Sequence, residues 1–174
     1  MPTLQELKSQ AKELNFKAFW NIKKEFKHLP KILTDDEYLK ALASGLMHGH
    51  TWLIVTTNKR VIFLDRGFFY GLKQIQIPLS KINSISQKQG IVFGEIHIWD
   101  GASRTEISNV PKSVVTNFVN NTNLAIEELH QALKQPESGS GSISDELLKL
   151  ADLKEKGILT EEEFENQKQK LLGK

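Results

Sequence analysis

Cysteine is missing from the 174-residue chain. That excludes a disulfide scaffold, a thiol nucleophile and a thiolate metal site, and it fits a reducing cytoplasm. No apolar run approaches the ~18 residues of a transmembrane helix. The opening residues Met1-Pro2-Thr3-Leu4-Gln5-Glu6 lack the charged-then-apolar order of a secretory signal, so export is not expected. No nucleophile elbow, phosphate loop or paired-carboxylate pattern occurs, so no catalytic residue is assigned and neither enzyme activity nor a cofactor is expected. A large excess of one charge is lacking too. The net charge is +2, far short of a nucleic-acid footprint. The charge is unevenly spread: residues 1–34 carry seven Lys against three acids, and residues 137–174 carry six Lys against nine acids. A basic head and an acidic tail suit self-association or contact with an anionic surface.

Hydrophobic residues make up 39% and charged residues 25%, the balance of a globular protein. Residues 3–28 read as one long amphipathic helix. Thr3 with Glu6 forms a capping box, and Leu4, Leu7, Ala11, Leu14, Ala18 and Ile22 fall on one face. Pro30 breaks the helix. Tyr38–Met47 reads as a first strand with Leu39, Ala41 and Ala43 inward, a short helix through Leu42 being the competing reading. His48-Gly49-His50 is a turn, and Thr51–Thr56 a second strand. Arg60–Asp65 is rich in β-branched and aromatic residues and reads as a third. Leu72–Ile77 alternates strictly, and Pro78 ends it, with Leu79–Ser86 starting another strand. Gly94–Asp100 and Ser103–Ile107 follow. From Pro111 to Lys134 the period changes to that of a helix. The expected fold is α+β: a seven-stranded, strongly bent antiparallel sheet plugged by a helix. Ser138-Gly139-Ser140-Gly141-Ser142 is a flexible linker, and its composition suits a native linker or an engineered join alike.

The tail reads as a helical hairpin. Asp145–Lys156 is closed by Gly157, and Thr160 with Glu163 opens Glu161–Leu172. About thirty residues cannot bury a self-sufficient core. Leu147, Leu150, Leu153, Phe164 and Leu171 are therefore expected to pack on another surface, in a homo-oligomer or on an unknown protein partner.

The ordered pieces TTNKRVIFLDRG (56–67), GLKQIQIPLSKINSI (71–85) and GEIHIWDG (94–101), closed by a helix, resemble the bacterial PH-like domains of the YokE-like type over about residues 35–133. LKEKGILTEEEFENQKQKLL, within residues 143–173, resembles the SHOCT module, a short C-terminal domain of bacterial and phage proteins. The resemblances imply a PH-type, partly open barrel capped by its C-terminal helix, and a tail that mediates oligomerisation; neither implies chemistry. The expected layout is an N-terminal helix (1–34), a PH-like domain (35–135), a linker (136–142) and the hairpin (143–174).

Several candidate sites stand against plainer readings. Phe68-Phe69-Tyr70, between Gly67 and Gly71, would suit a protein groove at an exposed hairpin tip; the alternative is a tip folded over the barrel end or onto the N-terminal helix. Phe16, Lys17, Trp20, Lys23 and Lys24 would suit a membrane surface, the competing reading being packing against the protein. His48 and His50 are too few for a metal site and read as turn residues, so no metal is assigned. Lys59 and Arg60 read as a solvated turn. The first functional expectation is a non-catalytic binding and assembly module, located in the cytoplasm. The alternative is a peripheral membrane protein at the inner face of the membrane.

Overall fold

The computed structural model describes residues 1–16, 22–67, 71–101, 103–134 and 143–171, with side chains of the last stretch from Leu147. Two compact units emerge, Met1–Ala132 and Leu133–Lys174.

The first unit is built on seven antiparallel strands: β1 (Leu39–Met47), β2 (His50–Thr57), β3 (Arg60–Gly67), β4 (Gly71–Pro78), β5 (Ser84–Gln89), β6 (Phe93–Trp99) and β7 (Arg104–Pro111). Their order is β4-β3-β2-β1-β7-β6-β5, so β4 and β5 are free edges and the sheet stays open. Strands β1 and β2 join through His48 and Gly49, both at positive φ (52° and 78°), as a two-residue type I′ hairpin requires. The first strand is thus a strand, not a helix. The sheet folds over at β1–β7, where Leu46 pairs with Ser108. Gly45 makes that corner: a Cβ there would lie 2.5 Å from Ile107 Cγ2 and 2.7 Å from the Ser108 carbonyl.

Strands β1–β3 are buried on both faces, which explains the unbroken apolar runs Trp52–Val55 and Val61–Leu64. On one face Ala41, Ala43, Trp52, Ile54, Val61 and Phe63 meet α3 (Lys112–Lys134) through Val115, Phe118, Val119 and Ala125. The buried hydroxyls of Thr56 and Thr122 satisfy each other at 2.7 Å across that contact. On the other face Leu42, Leu53, Val55, Ile62 and Leu64 meet the N-terminal segment through Leu7, Ala11, Ile22, Phe26, Leu29 and Leu33.

Four expectations from the sequence are corrected here. The N-terminal segment is not one helix: α1 (Leu4–Glu13) and α2 (Lys23–Phe26) are separate. Asn15 takes the left-handed conformation (φ 55°), its amide donates to the Lys12 carbonyl, and the Phe16 amide reaches back to the Ala11 carbonyl. That pair of bonds is a Schellman stop. The capping box at Thr3 and Glu6 is present. Leu39 faces the N-terminal side, not the side of Ala41, because the register shifts between them; the freed Leu39 amide donates to Gln10 Oε1 of α1, 2.8 Å. Leu79–Lys81 is a 3₁₀ turn rather than a strand start. The Leu79 amide donates to the Lys59 carbonyl, and its side chain is fully buried. The seventh strand runs on to Pro111 before α3 begins.

The second unit holds α4 (Ile143–Glu155) and α5 (Glu161–Leu171). Gly157 (φ 71°) stops α4 with the same pair of backward bonds, Gly157 to Lys154 and Ile158 to Leu153. Thr160 and Glu163 cap α5 reciprocally, at 2.9 and 3.3 Å.

Candidate interaction surfaces

The polar cluster at the β2–β3 turn is structural. Arg60 Nε and Nη2 each donate to Glu37 at 2.8 Å, a two-pronged pair with a carboxylate whose side chain is fully buried. Thr57 Oγ1 donates to Glu37 Oε1 (2.8 Å) and the Thr34 amide to Oε2 (3.2 Å). Burial pushes the Glu37 carboxyl up, but the hydrogen bonds from Arg60, Thr57 and Thr34 together with the Arg60 charge outweigh it, and its pKa lies below the ordinary 4.5. Arg60 also donates to the Ile32 carbonyl (3.1 Å) and to Gln76. It is therefore no solvated turn residue. Lys59, more exposed, pairs with Asp36 at 2.7 Å. The signal in the sequence was Asp35-Asp36-Glu37 with Arg60, complementary charges whose partnership only the fold reveals.

Among the described residues one trio has metal-ligand chemistry, Glu95, His97 and Glu106. Arg104 already supplies a cation there, donating to Glu106 Oε2 (2.9 Å) and His97 Nε2 (3.1 Å). His48 belongs to the hairpin turn, and His50 Nδ1 lies 3.8 Å from Asp65.

Of the residues expected at interaction surfaces, Phe68, Phe69, Tyr70, Lys17 and Trp20 lie outside the described residues. Strands β3 and β4 pair as far as Gly67 with Gly71. Phe16 is half-buried against the N-terminal cluster, and Lys23 and Lys24 are exposed. An apolar tip unremarked in the sequence crowns β5–β6: Ile91 is 94% exposed and Val92 and Phe93 stand beside it.

Between α1 and α2 lies a cleft of about 590 Å³. Ala11, Phe16 and Phe26 line its apolar part, Asn15 lies beside them, and Lys8, Lys12, Lys23 and Lys27 surround it; among the described residues no acidic one lines it.

In the second unit, Leu147, Leu150, Leu153, Phe164 and Leu171 are all half-buried. The Phe164 ring sits beneath Lys154 Nζ at 4.9 Å, and Lys154 also pairs with Glu161 at 2.7 Å. Among the described residues of α4, α5 and their connection, the large apolar side chains left most open are instead Leu148, 68% exposed, and Ile158, 66% exposed. Leu148 follows Leu147 of the expected face, and the Ile158 amide donates to the Leu153 carbonyl at 3.0 Å.

An open seven-stranded antiparallel sheet with a helix packed on one face is a pleckstrin-homology-type fold. The chain belongs to the bacterial PH domain family, whose match spans residues 33–123. Residues 145–172 match the short C-terminal domain, SHOCT. Similar solved structures include the crystal structure of a pleckstrin homology domain from Shewanella amazonensis SB2B, at 21% identity over 51% of this chain and 81% of that one, TM-score 0.37. Another is a DUF1696-family protein with a pleckstrin-homology domain from Shewanella loihica PV-4, at 22% identity over 63% and 97%, TM-score 0.39. No curated protein matches the chain. No helix among the described residues is long and apolar enough to cross a membrane.

Proposed function

We propose that the protein is a non-catalytic binding and assembly module. The α4–α5 hairpin joins copies of the chain, and the PH-like unit presents a partner surface. One observation carries the assembly reading. From Leu147 to Leu171 no side chain is fully buried, and Leu148 and Ile158 stand open. A hairpin with so little enclosed apolar surface does not offset its chain entropy of ~1.5 kcal/mol per residue unless another surface covers it. Light scattering at micromolar concentration tests this on the full chain, on a chain truncated after Gln135, and on Leu148→Lys/Ile158→Lys. The full chain is expected to be larger than a monomer, and the other two monomeric. Equal protomer counts in all three refute tail-driven assembly. The partner surface is assigned to the β3–β4 tip carrying Phe68, Phe69 and Tyr70, and replacing all three by Ser is expected to spare the melting temperature and abolish partner capture.

A second reading, attachment to an anionic membrane surface, is favoured by the four lysines around the N-terminal cleft. Co-sedimentation with anionic vesicles that disappears with added salt is its expected signature.

A further inference from the structure

Glu95 and His97 stand two residues apart on β6, so their side chains leave the sheet on the same side. Glu106 of β7 is the cross-strand partner of His97, close enough for the two side chains to meet. Oxygens of the two carboxylates and a ring nitrogen of His97 lie within 4.8 Å of one another. One of these atoms has conflicting neighbours. His97 Nε2 is 3.2 Å from Glu95 Oε2, an acceptor, and 3.1 Å from Arg104 Nη2, a donor. With a proton, Nε2 serves Glu95 and opposes the guanidinium; without one, it serves Arg104 and opposes the carboxylate. Neither form of the imidazole satisfies both neighbours while Glu95 is ionised. The His97 side chain is only 12% exposed, so water relieves little of the conflict. The same Arg104 nitrogen donates to Glu106 Oε2 at 2.9 Å. A cationic nitrogen thus bonds two of the three clustered groups and marks the point where they converge on positive charge. Lys88 faces the other oxygen of Glu95, Oε1, at 3.8 Å, which leaves Oε2 to the cluster. Arg104 also has a second seat, since its guanidinium carbon lies 5.5 Å from the centre of the Trp99 ring.

We infer that Glu95, His97 and Glu106 bind a divalent transition-metal ion of the zinc type, which exchanges with the Arg104 guanidinium. The ion takes a lone pair from His97 Nε2 and from each carboxylate, which ends the conflict at Nε2, and Arg104 moves over Trp99. One imidazole with two carboxylates suits Zn²⁺ and its neighbours, whereas Mg²⁺ and Ca²⁺ prefer oxygen ligands throughout. Contraction to the ~2.1 Å bonds of zinc falls on Glu95 and Glu106, whose side chains are 31% and 52% exposed and have room to turn. Three protein donors leave a fourth position to water or to a ligand from outside the chain. The inference does not rest on assembly through the tail.

Calorimetric titration of the untagged full chain with Zn²⁺ tests it. One ion per chain is expected to bind. His97→Gln and Glu106→Gln are each expected to weaken binding about tenfold or more. Glu106 is exposed, so its variant is expected to melt as the parent does and keeps the test sound if His97→Gln fails to fold. Arg104→Gln, which removes the competing cation, is expected to bind Zn²⁺ more tightly than the parent. His48→Ala/His50→Ala, at the hairpin turn, is expected to bind it as the parent does. A second readout is optical. The rings of His97 and Trp99 meet edge to face with centroids 5.8 Å apart. Ni²⁺ in the site is therefore expected to quench Trp99 emission, and Trp99→Phe to lose that quenching. The proposal is overturned by a parent that binds no Zn²⁺, or by a Glu106→Gln variant that binds it as the parent does. An Arg104→Gln variant of unchanged or lower affinity, or binding that disappears with His48 and His50, overturns it as well.

Discussion

Protonating Glu37 would leave Arg60 facing a neutral partner in a buried setting, and this equilibrium contributes to the acid side of stability. The folded carboxyl has a pKa below 4.5, so in that range the unfolded chain binds the proton more readily. The stabilisation is therefore fully present above the unfolded value and is lost as pH falls through the folded one. A urea-midpoint series is expected to decline below about pH 4.5 in the parent and to flatten over that window in Glu37→Gln, whose overall stability is lower. Arg60→Met should be the more damaging change at neutral pH. It strands the Glu37 charge in the interior, at a cost of roughly 3–5 kcal/mol. A loss under about 1 kcal/mol, the scale of an exposed pair, would show that the pair behaves as a surface contact.

At the scale of the elements, the N-terminal segment turns on Asn15. Replacing it by Gly keeps the left-handed stop and is expected to leave the thermal midpoint near the parent's. Asn15→Val must either strain that backbone, at about 1–2 kcal/mol, or move the stop. If the two variants melt alike, the Schellman stop does not govern this segment. The same residue shows where the sequence was legible and where it was not. Val61–Leu64 and the alternating Leu72–Ile77 declare themselves as strands because local propensity and tertiary burial agree. So do the capping boxes at Thr3 and Thr160, whose partners lie three residues away. The helix break at Asn15 went unread because Leu14, Ala18 and Ile22 continue the apolar period through it. Leu39 changes face because a register shift depends on a neighbouring strand. Arg60 looks like any turn cation until Glu37, 23 residues away in sequence, is brought beneath it. That Leu148, on α4, and Ile158, in the connection, stay open went unread for a related reason: spacing marks residues as apolar, but only packing shows which of them are covered.

At the scale of the whole molecule, the described members of the two hydrophobic clusters of the first unit end at Leu129. Truncation after Gln135 is therefore expected to leave its calorimetric midpoint where it was. A fall of several degrees would mean that the tail contributes to the stability of that unit.

The burial of β1–β3 on both faces decides where the gene can be cut. The family match begins at residue 33, yet Leu7, Ala11, Ile22, Phe26 and Leu29, all before that point, cover Leu42, Leu53, Val55, Ile62 and Leu64. A fragment expressed from residue 33 to 123 would carry a bare sheet of aliphatic side chains, an aggregation surface. It should appear in inclusion bodies, while a fragment from residue 1 to 135 is recovered from the supernatant. Adding back a synthetic peptide of residues 1–32 during refolding should rescue the short fragment, and a soluble, monomeric 33–123 fragment without the peptide would show that the cover is dispensable.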